Sequence, residues 1–285
     1  MDALRAVLPA DADMMVDQEG GRVARLRPPH WRAHPPAAAL GRLFEAEPGA
    51  GLRAAWLTGA LIGLDCRAAG FTVAAAPVLD LSIPGAHDVI GDRAFAGHPA
   101  AVARLGRAVA NGLLAAGVLP VGKHAPGHGR ARVDSHLSLP RVPEDDLQAD
   151  FRPFALNGDL PWLMTAHIVY EALDPNAAAT MSSSVIRDVI RGRFGFEGVL
   201  VTDDLAMKAL SGAPADLAAT ALAAGCDIAL YCRGDFEANE ALLSTCPALT
   251  AEAQARLQAG RTRLAASRMA LPAGPLADER ARLLP

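Results

Sequence analysis

The residues best equipped for chemistry sit in one short stretch, Lys123-His124-Ala125-Pro126-Gly127-His128-Gly129-Arg130-Ala131-Arg132-Val133-Asp134-Ser135-His136. From Lys123 to Leu139, seventeen residues carry three histidines, one aspartate and three basic side chains. Imidazoles move protons near neutral pH. Charged donors hold oxygen-rich ligands, because hydrogen bonds to charged groups are the stronger ones. Glycines at 127 and 129 permit backbone angles that other residues avoid. A stretch so polar and so marked by glycine reads as a functional loop.

The elements that must position this loop follow from hydrophobic runs. Val118-Leu119-Pro120-Val121 reads as a strand feeding it. Five more strands are expected, at Asp13–Val16, Phe71–Ala75, Trp162–Ala166, Gly198–Thr202 and Asp227–Tyr231. Helical periodicity lies at 50–69, 98–116, 182–193, 214–224, 235–246 and 249–271, with serines to cap the 182–193 helix. The tail beyond is punctuated by proline. Alternating strands and helices predict a parallel sheet covered by helices. Polar groups gather after successive strands, at Asp17, Asp80, Lys123-His124, His167 and Asp203. In a TIM-type (β/α)8 barrel such positions converge on the C-terminal face. A doubly wound sheet would call for a glycine-rich phosphate loop, and the sequence has neither GxGxxG nor a Walker motif. The α/β barrel is the expected fold, in one domain over 1–285. A closed barrel takes about eight strands against the six found, so either further strands escape the pattern or the barrel is incomplete at its N-terminal strands.

Composition narrows the partners. The chain has 27 basic and 31 acidic residues, net −4, with no basic run to hold nucleic acid. No window approaches the ~20 apolar residues of a membrane span, and the first residues lack the pattern of a signal peptide. Cys66, Cys226, Cys232 and Cys246 form no CxxC pair or zinc spacing and are expected as reduced, buried thiols. A cytoplasmic monomer is expected.

Three segments together resemble glycoside hydrolase family 3, in particular the bacterial β-N-acetylglucosaminidases of peptidoglycan recycling. They are D-Q-E-G-G-R-V-A-R at 17–25, K-H-A-P-G-H-G with D-S-H at 123–136, and V-I-R-G-R-F-G-F-E-G-V-L-V-T-D-D-L-A-M at 189–207. I-G-D-R-A-F at 90–95 and M-T-A-H at 164–167 fit as well. The resemblance implies retaining hydrolysis of a terminal β-linked N-acetylglucosamine, with no metal or organic cofactor. It makes Asp203 the nucleophile, a role suited to a carboxylate at a strand's end that a following helix N-terminus would help keep ionised. It makes Asp134 and His136 an acid/base dyad; two apart in an extended segment, both side chains would share a face. It assigns Asp17, Arg25, Arg93, Lys123 and His124 to the sugar, with His128 and His167 as supports and Arg22 as scaffold. Arg233, just past the last strand, is expected at the pocket rim. It also implies one or two strands ahead of residue 13.

Three other readings share these residues. Phosphate in place of water would make a phosphorylase, since an imidazole would not repel the anion. His124, His128, His136, Asp134, His167 and Asp203 are a conceivable metal-ligand set. A non-catalytic, shortened relative is the third.

Overall fold

The computed structural model describes residues 2–284. Its centre is a six-stranded, wholly parallel sheet of Met15–Val16, Val73–Ala74, Leu119–Ala125, Trp162–Thr165, Val199–Asp204 and Ile228–Leu230. Each strand pairs with the next along the chain, as in Met15 with Val73, Val73 with Leu119, Val121 with Trp162, and Trp162 with Val199. The helices between them return the chain to the same end of the sheet each time, the arrangement of a (β/α) barrel. All six strands lie where the apolar runs predict them. The central one differs: it continues through Ala125, so Lys123 and His124 sit inside the strand and are buried.

Side-chain alternation sorts the two faces of the sheet. Trp162, Met164, Val199 and Val201 join one buried cluster with Val73, Ala75 and Val121. Leu163 and Leu200 join another, built with Val185, Ile186, Val189 and Ile190. The helix Ala251–Ser267 packs Leu257 into the first cluster, and its Arg256 pairs with Asp227 at 2.6 Å, at the start of the last strand. It thereby covers the end of the sheet opposite Asp203. The long helices Pro48–Ala68 and Pro99–Ala116 cross closely: a Cβ at Gly59 would lie 2.1 Å from the Val109 carbonyl oxygen.

The first and last strands do not pair with one another, so the barrel is incomplete between Met15–Val16 and Ile228–Leu230. A cavity of about 820 Å³ lies there, lined by Met15, Val73, Trp162, Met164, Ile228 and Leu230 among others. No described helix is long and apolar enough to cross a membrane.

Several local expectations need correction. Val185–Arg193 is a π-helix rather than an α-helix, and Ser182 Oγ accepts from the Val185 amide at its start. Ala37–Ala46, Gln148–Ala155 and Ala273–Leu283 are helices beyond those that the periodicity places. All four cysteines are free, but only Cys66 and Cys226 are buried; Cys232 is exposed and Cys246 half-buried. Cys246 directly follows the helix Phe236–Thr245, and Cys232 lies two residues past the last strand.

Candidate active site

Asp17 and Glu19 project in the same direction from one short extended segment, being two residues apart. Their cation is Lys123, delivered from the central strand. Its Nζ donates to Glu19 Oε1 at 2.6 Å and to Asp17 Oδ1 at 3.0 Å, with the lysine side chain only 2% exposed. Arg93, from the loop after Asp80, adds a two-pronged contact to Glu19 through Nε and Nη2, at 2.9 and 2.8 Å. Arg25 reaches the other oxygen of Asp17 at 3.1 Å. Two carboxylates thus share three cations, and each cation keeps donors for a ligand.

These pairs set the carboxyl ionisation. Lys123 is the main reason that Asp17 is drawn down to about 2, against the opposing effect of burial. Burial works to raise the Glu19 carboxyl, yet Lys123 and Arg93 hold it below its ordinary value. Such groups stabilise the fold above their unfolded pKa, and the stabilisation is lost as pH falls through the folded one. His128 runs in the same direction from higher pH, because burial and His124 lower it from 6.5 to about 4. In that interval the unfolded chain binds a proton that the folded chain refuses. Tm is therefore expected to fall as pH drops below about 6.5 and to fall further between about 4.5 and 2. Calorimetry across pH 8 to 2 checks this; a flat or rising Tm on acidification contradicts it.

Asp80 is a second buried hub. Its Oδ2 accepts from His124 Nδ1 at 2.6 Å, and its Oδ1 accepts from the backbone amides of His124 and His128 at 3.2 and 2.6 Å. His124 Nε2 then faces Arg93 Nη2 at 3.4 Å. Gly127, between the histidines, has φ of +140°, which side chains disfavour, and a Cβ there would lie a tight 3.0 Å from Asp150 Cβ.

The adjacent aspartates differ in what they can do. Asp204 Oδ1 is engaged by the amides of Ala206 and Cys232, both at 2.9 Å. Asp203 Oδ1 takes the Asp204 amide at 2.8 Å, and its Oδ2 has no protein donor among the described residues. Burial acts to raise the Asp203 carboxyl, but His124, His167, the Asp204 amide and Lys123 together hold it below the ordinary value. No helix follows directly: residues 205–213 are turns and the next helix starts at Pro214. The expected helix-dipole contribution is absent, and neighbouring side chains supply the field in its place.

Asp134 and His136 do meet, though not along an extended segment. The chain turns here, and Asp134 Oδ1 accepts both the His136 amide and His136 Nδ1 at 2.8 Å. A short side chain bonding the backbone two residues on is a standard turn device, and it competes with extension. Burial opposes the Asp134 charge, while the His136 amide and ring favour it, leaving that carboxyl below its ordinary value. The imidazole is 60% exposed with Nε2 unengaged.

Asp17, Arg25, Arg93, Lys123, His124, His136 and Asp203 all border one cavity of about 130 Å³. Asp134 stands behind His136 and does not line it. His128, Ser135, Val23 and Val89 complete the wall. His167 bridges Thr180 Oγ1 and the Asp204 carbonyl, at 2.8 and 3.1 Å, beneath the aspartates. Arg22 pairs with Asp88 and Asp92, away from the cavity. Cys232 rather than Arg233 lines the larger cavity, and Arg233 is exposed beyond it. No cluster of three or more His, Cys, Asp or Glu side chains among the described residues has a geometry that would hold a metal ion. Glu19 is the member that the sequence reading missed, although its two-residue spacing from Asp17 was available as a signal.

Residues 3–266 match the family model for the glycosyl hydrolase family 3 N terminal domain. A beta-hexosaminidase of Aromatoleum aromaticum is 39% identical over 256 residues, covering 87% of this chain and 71% of the relative. One from Bordetella avium is 40% identical over 224 residues, or 76% of this chain and 63% of the relative. The chain thus spans about two thirds of the length of these proteins. NagZ from Neisseria gonorrhoeae, solved with N-trifluoroacetyl-D-glucosamine, superposes with a TM-score of 0.86 at 30% identity, over 99% of this chain and 84% of NagZ. A family 3 beta-N-acetylglucosaminidase from Paenibacillus gives 0.83 at 32%, over 99% and 57%. With the family model covering nearly the whole sequence and the relatives agreeing, the chain belongs to glycosyl hydrolase family 3.

Proposed function

We propose that this protein is an exo-acting, retaining β-N-acetylglucosaminidase that removes terminal GlcNAc from peptidoglycan fragments such as GlcNAc-1,6-anhydro-MurNAc. The observation that carries the reading is Asp203 Oδ2 and His136 Nε2, both without partners among the described residues, on side chains bordering the same small cavity as Lys123, Arg93, Arg25 and Asp17. The names of the beta-hexosaminidase relatives and of the NagZ complex support the sugar. One domain carries the site, and free thiols suit a cytoplasmic enzyme.

In this mechanism Asp203 Oδ2 attacks the anomeric carbon while the bond to the leaving oxygen breaks. His136 Nε2 gives that oxygen its proton, and Asp134 stabilises the ring through Nδ1. The glycosyl–Asp203 ester is then opened by water, whose proton returns to His136. Asp17, Arg25, Arg93, Lys123 and His124 hold the sugar hydroxyls. The chemistry uses no metal.

Purified protein is expected to release 4-nitrophenol from the β-N-acetylglucosaminide and GlcNAc from the anhydro disaccharide; folded protein that releases neither refutes the reading. The imidazole in the acid/base position favours one second reading, a phosphorylase. Replacing Tris by phosphate distinguishes them. Hydrolysis predicts an unchanged rate and free GlcNAc, whereas GlcNAc-1-phosphate as the main product establishes the phosphorylase.

A further inference from the structure

The dyad sits on the most exposed part of the site, yet one residue between its members is buried. Ser135 is 2% exposed, while the side chains on either side, Asp134 and His136, are 23% and 60% exposed. Two contacts fix Ser135. Its carbonyl oxygen accepts from the Ala209 amide at 3.2 Å, on the segment after Asp203 and Asp204. Its Oγ lies 3.0 Å from Nε2 of His128, which is also 2% exposed. His128 is itself held by its amide on Asp80, and the preceding Gly127 carbonyl accepts from Tyr170 at 2.6 Å. A continuous buried path thus runs from the sheet to the middle of the exposed dyad.

Nδ1 of His128 is buried and has no hydrogen-bond partner among the described residues. The contact of Nε2 with Ser135 Oγ is therefore the ring's one side-chain hydrogen bond among them, and the tautomer sets which of the two atoms donates.

Resting on the glycosidase reading above, we propose that His128 and Ser135 are positioning residues for the acid/base: their buried hydrogen bond sets where His136 stands relative to the leaving oxygen. An imidazole on a turn has many available positions, and holding a proton donor within reach of its target is a large part of its effect. Neither residue takes up a proton in the reaction. Their contribution should show only where the leaving group needs one.

The test compares kcat/KM on two substrates with the same sugar. A 2,4-dinitrophenyl glycoside departs without protonation, whereas the anhydro disaccharide has a poor leaving group. For Ser135→Ala we expect kcat/KM to fall about 10- to 100-fold on the disaccharide, within the range attributed to misplacing a catalytic group, and less than about threefold on the dinitrophenyl substrate. His136→Ala gives the full size of that difference. His128→Gln, whose terminal amide can donate to or accept from Ser135 Oγ, should recover most of the wild-type ratio, and His128→Leu should repeat the Ser135→Ala pattern. Equal losses on both substrates would make the contact merely structural, and no loss on either would overturn the proposal. If Ser135→Ala does not fold, the two His128 variants decide by the same ratio. Asp203→Ala separates the two levels of inference: its activity would sink the glycosidase reading, whereas an inactive Asp203→Ala beside an unchanged Ser135→Ala ratio would sink the positioning proposal alone.

Discussion

Asp203→Ala is expected to lower kcat by about 10⁴-fold or more, the order seen when a nucleophile is removed from a group of residues acting as a unit. The choice between the two adjacent aspartates rests on their hydrogen bonds. Asp204 has its Oδ1 committed to two amides that join separate loops, so its substitution should act mainly through stability. Asp203 keeps Oδ2 open toward the cavity, where His136 also stands. Its neighbours hold that carboxyl below its ordinary value, so removing it should cost some stability, and turnover is therefore read beside the fold. The measurement is kcat on the 4-nitrophenyl substrate alongside the melting temperature. Near-wild-type turnover in a folded variant would remove Asp203 from the mechanism, and a matching loss in Asp204→Ala without loss of stability would transfer the role to that residue.

Lys123→Met should produce the largest loss of stability. The substitution keeps most of the buried volume but leaves Glu19 facing only Arg93, and Asp17 facing only Arg25. Breaking a buried ion pair from one side costs about 3–5 kcal/mol, a large part of a typical total of about 5–15 kcal/mol. Asp17 is 40% exposed and can recover water, which places the expectation toward the lower end of that range. For a protein of this size the loss corresponds to a fall in Tm of about 10 °C. Turnover should fall as well, through KM, because the lysine is also proposed to hold the sugar. Adding Glu19→Gln to Lys123→Met should lower the Tm further, because Glu19 is the buried partner of Arg93. A single variant as stable as wild type would show that solvent reaches Glu19 freely.

The strands were legible because each is a compact apolar run ending in a polar residue, and that pattern carries both the sheet and the location of the site. The contact between Asp134 and His136 was expected from the family resemblance, but its geometry was misread. Alternation describes an extended chain, and Asp134 prefers to bond the His136 amide, which bends it. The ion-pair system was harder. Lys123 and Asp17 are separated by 106 residues and Arg93 and Glu19 by 74, so nothing local announces their pairing. The tail misled through its prolines: Pro272 ends one segment and precedes the helix Ala273–Leu283, a position where a missing amide costs little.

Asp80 has a consequence in genetic terms. One carboxylate fixes His124, on the side proposed to hold the sugar, and His128, on the side proposed to anchor the acid/base turn. Substitutions at the two histidines therefore act on a shared partner, and contacting residues with a shared partner do not contribute independently. The effect of a change at one depends on what occupies the other. This epistasis limits the order in which substitutions can accumulate along the loop, and it would make a library that varies 124 and 128 together more informative than two single-site scans.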